Sequence, residues 1–109
     1  MSRGEDAVEK VGDLLDQLGT TRDAVVDNLR KSGITGLTDN VFADPIANYL
    51  KAHGITAPEV DMEQVALDAY EDPDMTDGPF RVRLPRAVRE FLVAFEDGSY
   101  PDLLAKASA

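Results

Sequence analysis

The side chains with the most chemical capacity fall in two adjoining blocks. From Glu59 to Asp77 the chain carries Glu59, Asp61, Glu63, Asp68, Glu71, Asp72, Asp74 and Asp77 with no lysine or arginine among them, and Arg81, Arg83, Arg86 and Arg89 follow directly. A guanidinium is a planar fork of donors, so arginines in such a strip suit carboxylate or phosphate groups, which they grip through parallel hydrogen bonds. Clustered carboxylates attract the opposite chemistry, a basic partner or a hard cation held by oxygen. Asp72, Asp74 and Asp77 before Gly78 have the look of a calcium loop, but counting from Asp72 puts Gly78 at position seven and Arg83 at position twelve. An EF-hand loop needs glycine at six and a bidentate glutamate at twelve. The segment 71–79, rich in Asp, Pro and Gly, is therefore expected to be an exposed acidic loop that holds no metal.

The same two blocks also have a purely structural explanation. If their flanks pair as antiparallel strands, Asp68 and Glu71 lie across from Arg81 or Arg83, and each such pair fixes register with roughly 0.2–1 kcal/mol. Histidine occurs once, at His53, after Tyr49 and Leu50 near a helix C-terminus, where packing or capping accounts for it. The chain shows no nucleophile-plus-base signature, no glycine-rich nucleotide loop and no H-E-x-x-H. The expectation is a protein without catalytic residues, cofactor or metal.

Composition narrows the classes further. A length of 109 residues is one domain, and a hydrophobic fraction of 43% suffices for a globular interior. The formal charge of −10 sets the mean field against phosphate backbones and anionic membranes, which makes nucleic acid a poor partner and a basic protein a good one. The chain has no cysteine, which removes disulfides and thiol nucleophiles, and it has no signal-like or membrane-spanning apolar run, so the expected compartment is the cytoplasm.

These residues must be positioned by an α+β fold of about four helices and a small two-stranded antiparallel hairpin. Val8, Val11, Leu15 and Leu18 recur at helical spacing up to Gly19; Thr20 and Thr21 are N-cap candidates for a second helix that ends at Gly33. The stretch 34–43 reads as loop. Asp44-Pro45 opens a third helix carrying Ile46, Tyr49 and Leu50 as far as Gly54. Val65, Leu67 and Ala69 alternate with Ala66, Asp68 and Tyr70, and Phe80, Val82 and Leu84 alternate with Arg81 and Arg83, which predicts two strands, although Met62, Val65, Ala66 and Ala69 also fit a helix. Pro85 starts a last helix faced by Val88, Phe91, Leu92 and Phe95 and closed by Gly98; Leu103 and Leu104 form a terminal turn, and residues 1–4 and 105–109 are expected to fray.

Three helices and a hairpin are also the element order of a winged helix-turn-helix, with Arg81, Arg83, Arg86 and Arg89 as its nucleic-acid contacts. The third helix argues against it, since its expected exposed positions Asp44, Ala47, Asn48, Lys51 and Ala52 offer one cation and an acidic N-terminus. The stretches DPIANYLKAHG and LPRAVREFLVAFEDGSYPDL resemble small uncharacterised proteins of high-GC Gram-positive bacteria and their phages. Many members of that group carry Cys-Pro where this chain has Asp44-Pro45, so the resemblance implies no thiol chemistry here; it implies a bacterial cytosol and two anchoring helices, and it brings no activity. The reading is a small acidic regulatory module that binds another protein, through the acidic segment from Glu59 to Asp77, with Asp72, Asp74 and Asp77 as its candidate contacts, or through an apolar patch near Tyr49, Tyr70 and Tyr100, and that is able to act as a homodimer. The arginine strip as a nucleic-acid contact is the alternative.

Overall fold

The computed structural model describes residues 3–55, 58–67 and 80–105. Four α-helices and a three-stranded sheet form one α+β layer structure, in the order α1 (Arg3–Leu18), α2 (Arg22–Ser32), α3 (Pro45–Ala52), β1 (Glu59–Val60), β2 (Gln64–Leu67), β3 (Phe80–Arg83) and α4 (Arg86–Glu96), followed by a 3-10 turn at Pro101–Leu103. The fold class is as expected, with one more strand than the hairpin. β1 runs back from β2 through a turn at Asp61–Glu63, where the Asp61 carboxylate accepts the backbone N–H groups of Glu63 at 2.7 Å and Gln64 at 2.8 Å. An aspartate that closes its own turn replaces the glycine or proline that usually signals one. Residues 59–60 and 64–67 are thus extended, and the helical alternative for this stretch does not hold.

Strand order is β1-β2-β3, antiparallel throughout, with Val60 opposite Val65 and Val65 opposite Val82. Because side chains alternate, Val60, Val65 and Leu67 face the core while Glu59, Ala66 and Arg81 form one row on the other face and Gln64 and Arg83 the next. The cross-strand ion pairs expected for the two arginines are not their ladder partners: Arg81 sits opposite Ala66 and Arg83 opposite Gln64. Asp68, Tyr70, Glu71 and the loop 71–79 lie outside the described residues.

The helices cover the inner face of the sheet. α1 buries Val11, Leu14, Leu15 and Leu18 and packs on β2 and β3; α4 buries Val88, Phe91, Leu92 and Phe95 and packs on α2. Leu14 makes the apolar stripe of α1 wider than Val11, Leu15 and Leu18 alone suggest. Phe91 anchors the centre, with Phe95 and Tyr100 stacked on it at ring-centroid distances of 5.9 and 5.6 Å. Thr21 caps α2 by accepting the Ala24 N–H at 3.1 Å, and Asn28 of α2 donates to the terminal Leu18 carbonyl of α1 at 2.6 Å, so each helix completes an end that would otherwise hold unpaired backbone groups.

Residues 1–2 and 106–109 lie outside the described residues. α1 already includes Arg3 and Gly4. Near the other end the Gly36 N–H donates to Leu103 O at 2.9 Å and the Ala105 N–H donates to Gly36 O at 2.7 Å, a parallel bridge that joins the segment before α3 to the last described residues. Arg30 reinforces it with a two-pronged contact to Asp102 at 2.7 and 3.2 Å.

Candidate functional site

The loop between α2 and α3 is folded rather than slack. Leu37 N–H donates to Ala43 O at 2.8 Å, Ala43 N–H to Asn40 O at 3.1 Å, and Phe42 N–H to the Asn40 side chain at 3.1 Å. Asp39 turns the chain with a positive φ of 54°, and its N–H is held by the Glu96 carboxylate of α4 at 3.1 and 3.3 Å. Val60 of β1 donates to Val41 O at 2.8 Å, so the loop is stitched to the sheet edge as well. Three elements that are distant in sequence thereby enclose a groove of about 370 Å³ between the loop, the β1–β2 turn and the C-terminal half of α4.

The walls of this groove carry Asp39, Asp44, Asp61 and Glu96 over an apolar base of Val41, Val60, Met62 and Leu92, with no basic side chain. Around it the chain leaves large apolar side chains in water: Phe42 is 51% exposed, Met62 40% and Leu37 37%. Asp44 is the buried member, 3% exposed, and it caps α3 by accepting the Ala47 N–H at 2.7 Å. Burial pushes its carboxyl up to about 7; the backbone N–H groups of Ala47 and Ile46 oppose this, the nearby Glu96 charge adds to it, and Lys51 opposes it. The groove can therefore offer exposed carboxylates to a cation together with one carboxyl that gives up its proton near neutrality. Among the described residues no group of three or more His, Asp or Glu side chains is placed to hold a metal ion.

The predicted site residues divide. Asp72, Asp74 and Asp77 lie outside the described residues. Arg81 and Arg83 stand exposed on the outer face of the sheet, whereas Arg86 and Arg89 belong to α4, where Arg86 pairs with Glu90 at 3.2 Å and both line a cleft with Arg22 of α2. Arg81 and Arg83 are not among the residues that line that cleft. The helix offered as a recognition element differs from expectation too: Asp44 and Ala47 are buried, along with Pro45, Ile46, Tyr49 and Leu50, because α3 is packed into the core on most of its circumference. The patch expected near the tyrosines is closed where it is described. Tyr49 is 6% exposed with its hydroxyl 3.4 Å from Leu14 O, and Tyr100 is half-buried on Phe91. His53 caps α3 and packs on the Tyr49 ring at 4.6 Å, the role its position suggests.

Sequence reasoning missed the groove because its acids come from residues 39, 44, 61 and 96, and no local pattern joins them. The two available signals were Asp61, which belongs to the acidic block, and Asp44, whose position marks it as a helix cap. Compared with known proteins, the chain matches no family model, no curated protein and no solved structure.

Proposed function

We propose that this chain is a non-catalytic cytoplasmic binding module that docks a basic, apolar-anchored segment of another protein in the groove between the 37–43 loop, the β1–β2 turn and α4. The observation that carries the reading is the groove's composition: carboxylates at four positions in the chain, an apolar base that includes the exposed Met62, the exposed Phe42 next in sequence to Val41 of that base, and no basic side chain in its lining. Lysine or arginine on a partner would meet Asp39, Asp61 and Glu96, and an apolar side chain would supply the central anchor that gives such contacts most of their energy. The chain's charge of −10 adds long-range attraction for the same partner and repels a second copy of itself at this face. Absence of cysteine supports the compartment. No helix among the described residues is long and apolar enough to cross a membrane.

The test is quantitative capture from the native cytosol at low and high salt, comparing the parent with Phe42→Ser and Met62→Lys at the groove and Arg81→Gln on the sheet face. A protein held by the parent and by Arg81→Gln but lost from both groove variants is the expected result. A partner that survives both groove changes, or that is lost with Arg81→Gln alone, overturns the assignment. Replacing Asp72, Asp74 and Asp77 by Asn is expected to weaken capture at low salt, and unchanged capture removes these acids from the interaction.

A further inference from the structure

On the opposite charge scale lies the cleft between α2 and α4, about 540 Å³ in volume, where Arg22, Arg86 and Arg89 surround the apolar surface of Val93. Val93 is 53% exposed, an apolar side chain in the middle of a helix that leaves it uncovered. Glu90 occupies Arg86 at 3.2 Å, and Asp97 also lines the cleft. Neither Arg22 nor Arg89 has an ion-pair partner among the described residues. Arg89 is the informative one: its Nε is shut off from water and makes no hydrogen bond. A donor of a charged group left in that condition is rare, because burial without a partner costs about 1–3 kcal/mol or more. Turning the long side chain toward the cleft would present Nε and a terminal nitrogen as a two-donor fork, which is the geometry that receives an oxyanion.

We propose that this cleft binds a small molecule carrying a phosphate monoester, with the phosphate between Arg22 and Arg89 and its apolar part on Val93. Two guanidiniums with no ion-pair partner among the described residues favour a group of about −1.5 to −2 charge over a monoanion. The site shares no lining residue with the acidic groove, which takes Leu92 and Glu96 of α4 where the cleft takes Arg89 and Val93, so either can fail without the other.

Phenyl phosphate is the probe, followed by the Arg89 Nε–H and the Val93 amide in proton–nitrogen correlation spectra at constant ionic strength. Saturable shifts of both signals are expected, with affinity falling roughly ten- to hundredfold in Arg89→Gln and in Arg22→Gln, and unchanged in Arg81→Gln. Arg22 is exposed, so its variant keeps the test valid should Arg89→Gln fold poorly. Shifts that grow linearly without saturating, an equal loss in Arg81→Gln, or an unchanged affinity in Arg22→Gln would each overturn the site. Benzoate binding as tightly as phenyl phosphate would overturn the preference for a dianion.

Discussion

Asp44 holds two opposed demands at one carboxyl. As the cap of α3 it must accept the Ala47 N–H, and as a 3%-exposed group near Glu96 it resists ionising, which moves its titration to about 7. In the unfolded chain the same group titrates in the ordinary carboxylate range, about 3.9. Between those pH values the folded chain keeps a proton that the unfolded chain has lost, so the stability linked to this group is fully present below about pH 4 and is lost as pH rises through about 7. Asn keeps the accepting oxygen and cannot ionise. Asp44→Asn is expected to be less sensitive to pH and to exceed the parent by about 1–3 kcal/mol at pH 8, measured as urea unfolding at pH 5 and pH 8. Parallel pH dependence in the two proteins would show that another group titrates.

At the scale of elements the close contact that matters is Gly36 against the start of α3. A methyl group at Gly36 would overlap backbone atoms of Asp44 and Pro45, which have no flexible side chain to yield. Gly36→Ala should therefore destabilise by about 2 kcal/mol or more, seen as a lower urea midpoint with the slope unchanged. Asn28→Ala, which frees the last carbonyl of α1, should cost about 1 kcal/mol by the same measurement. These two positions mark what the sequence does and does not disclose. The helices were legible because Thr21, Asp44, Pro45, Gly33 and Gly98 punctuate them and their apolar residues recur at helical spacing. β1 was not, since two residues hold no period and its turn is closed by a side chain that equally well belongs to an acidic surface. The bridge from Gly36 to the last described residues and the groove beside it are products of tertiary contact between segments some sixty positions apart, for which one sequence carries no local sign.

At the scale of the whole molecule the charge of −10 works against compaction as it works for solubility. Screening should relieve it: between about 0.01 and 1 M salt the Debye length falls from about 30 to 3 Å, and stability should rise by roughly 1 kcal/mol, or about 5 °C in melting temperature. A melting temperature that is flat or falling with sodium chloride would mean that ion pairs such as Arg30 with Asp102 outweigh the repulsion. The two surfaces argued above should respond oppositely to charge on their guests, and the salt dependence of each guest's affinity, measured apart, would show which field it meets.

The bridge at Gly36 also bears on how the chain comes to exist in the cell. The residues bonded to Gly36, at the approach to α3, are among the last described, Leu103 and Ala105, more than sixty positions further along the chain. A chain cut before Leu103 lacks both hydrogen bonds at Gly36, while the Glu96 hold on Asp39 and the Asn40 turn at Phe42 remain.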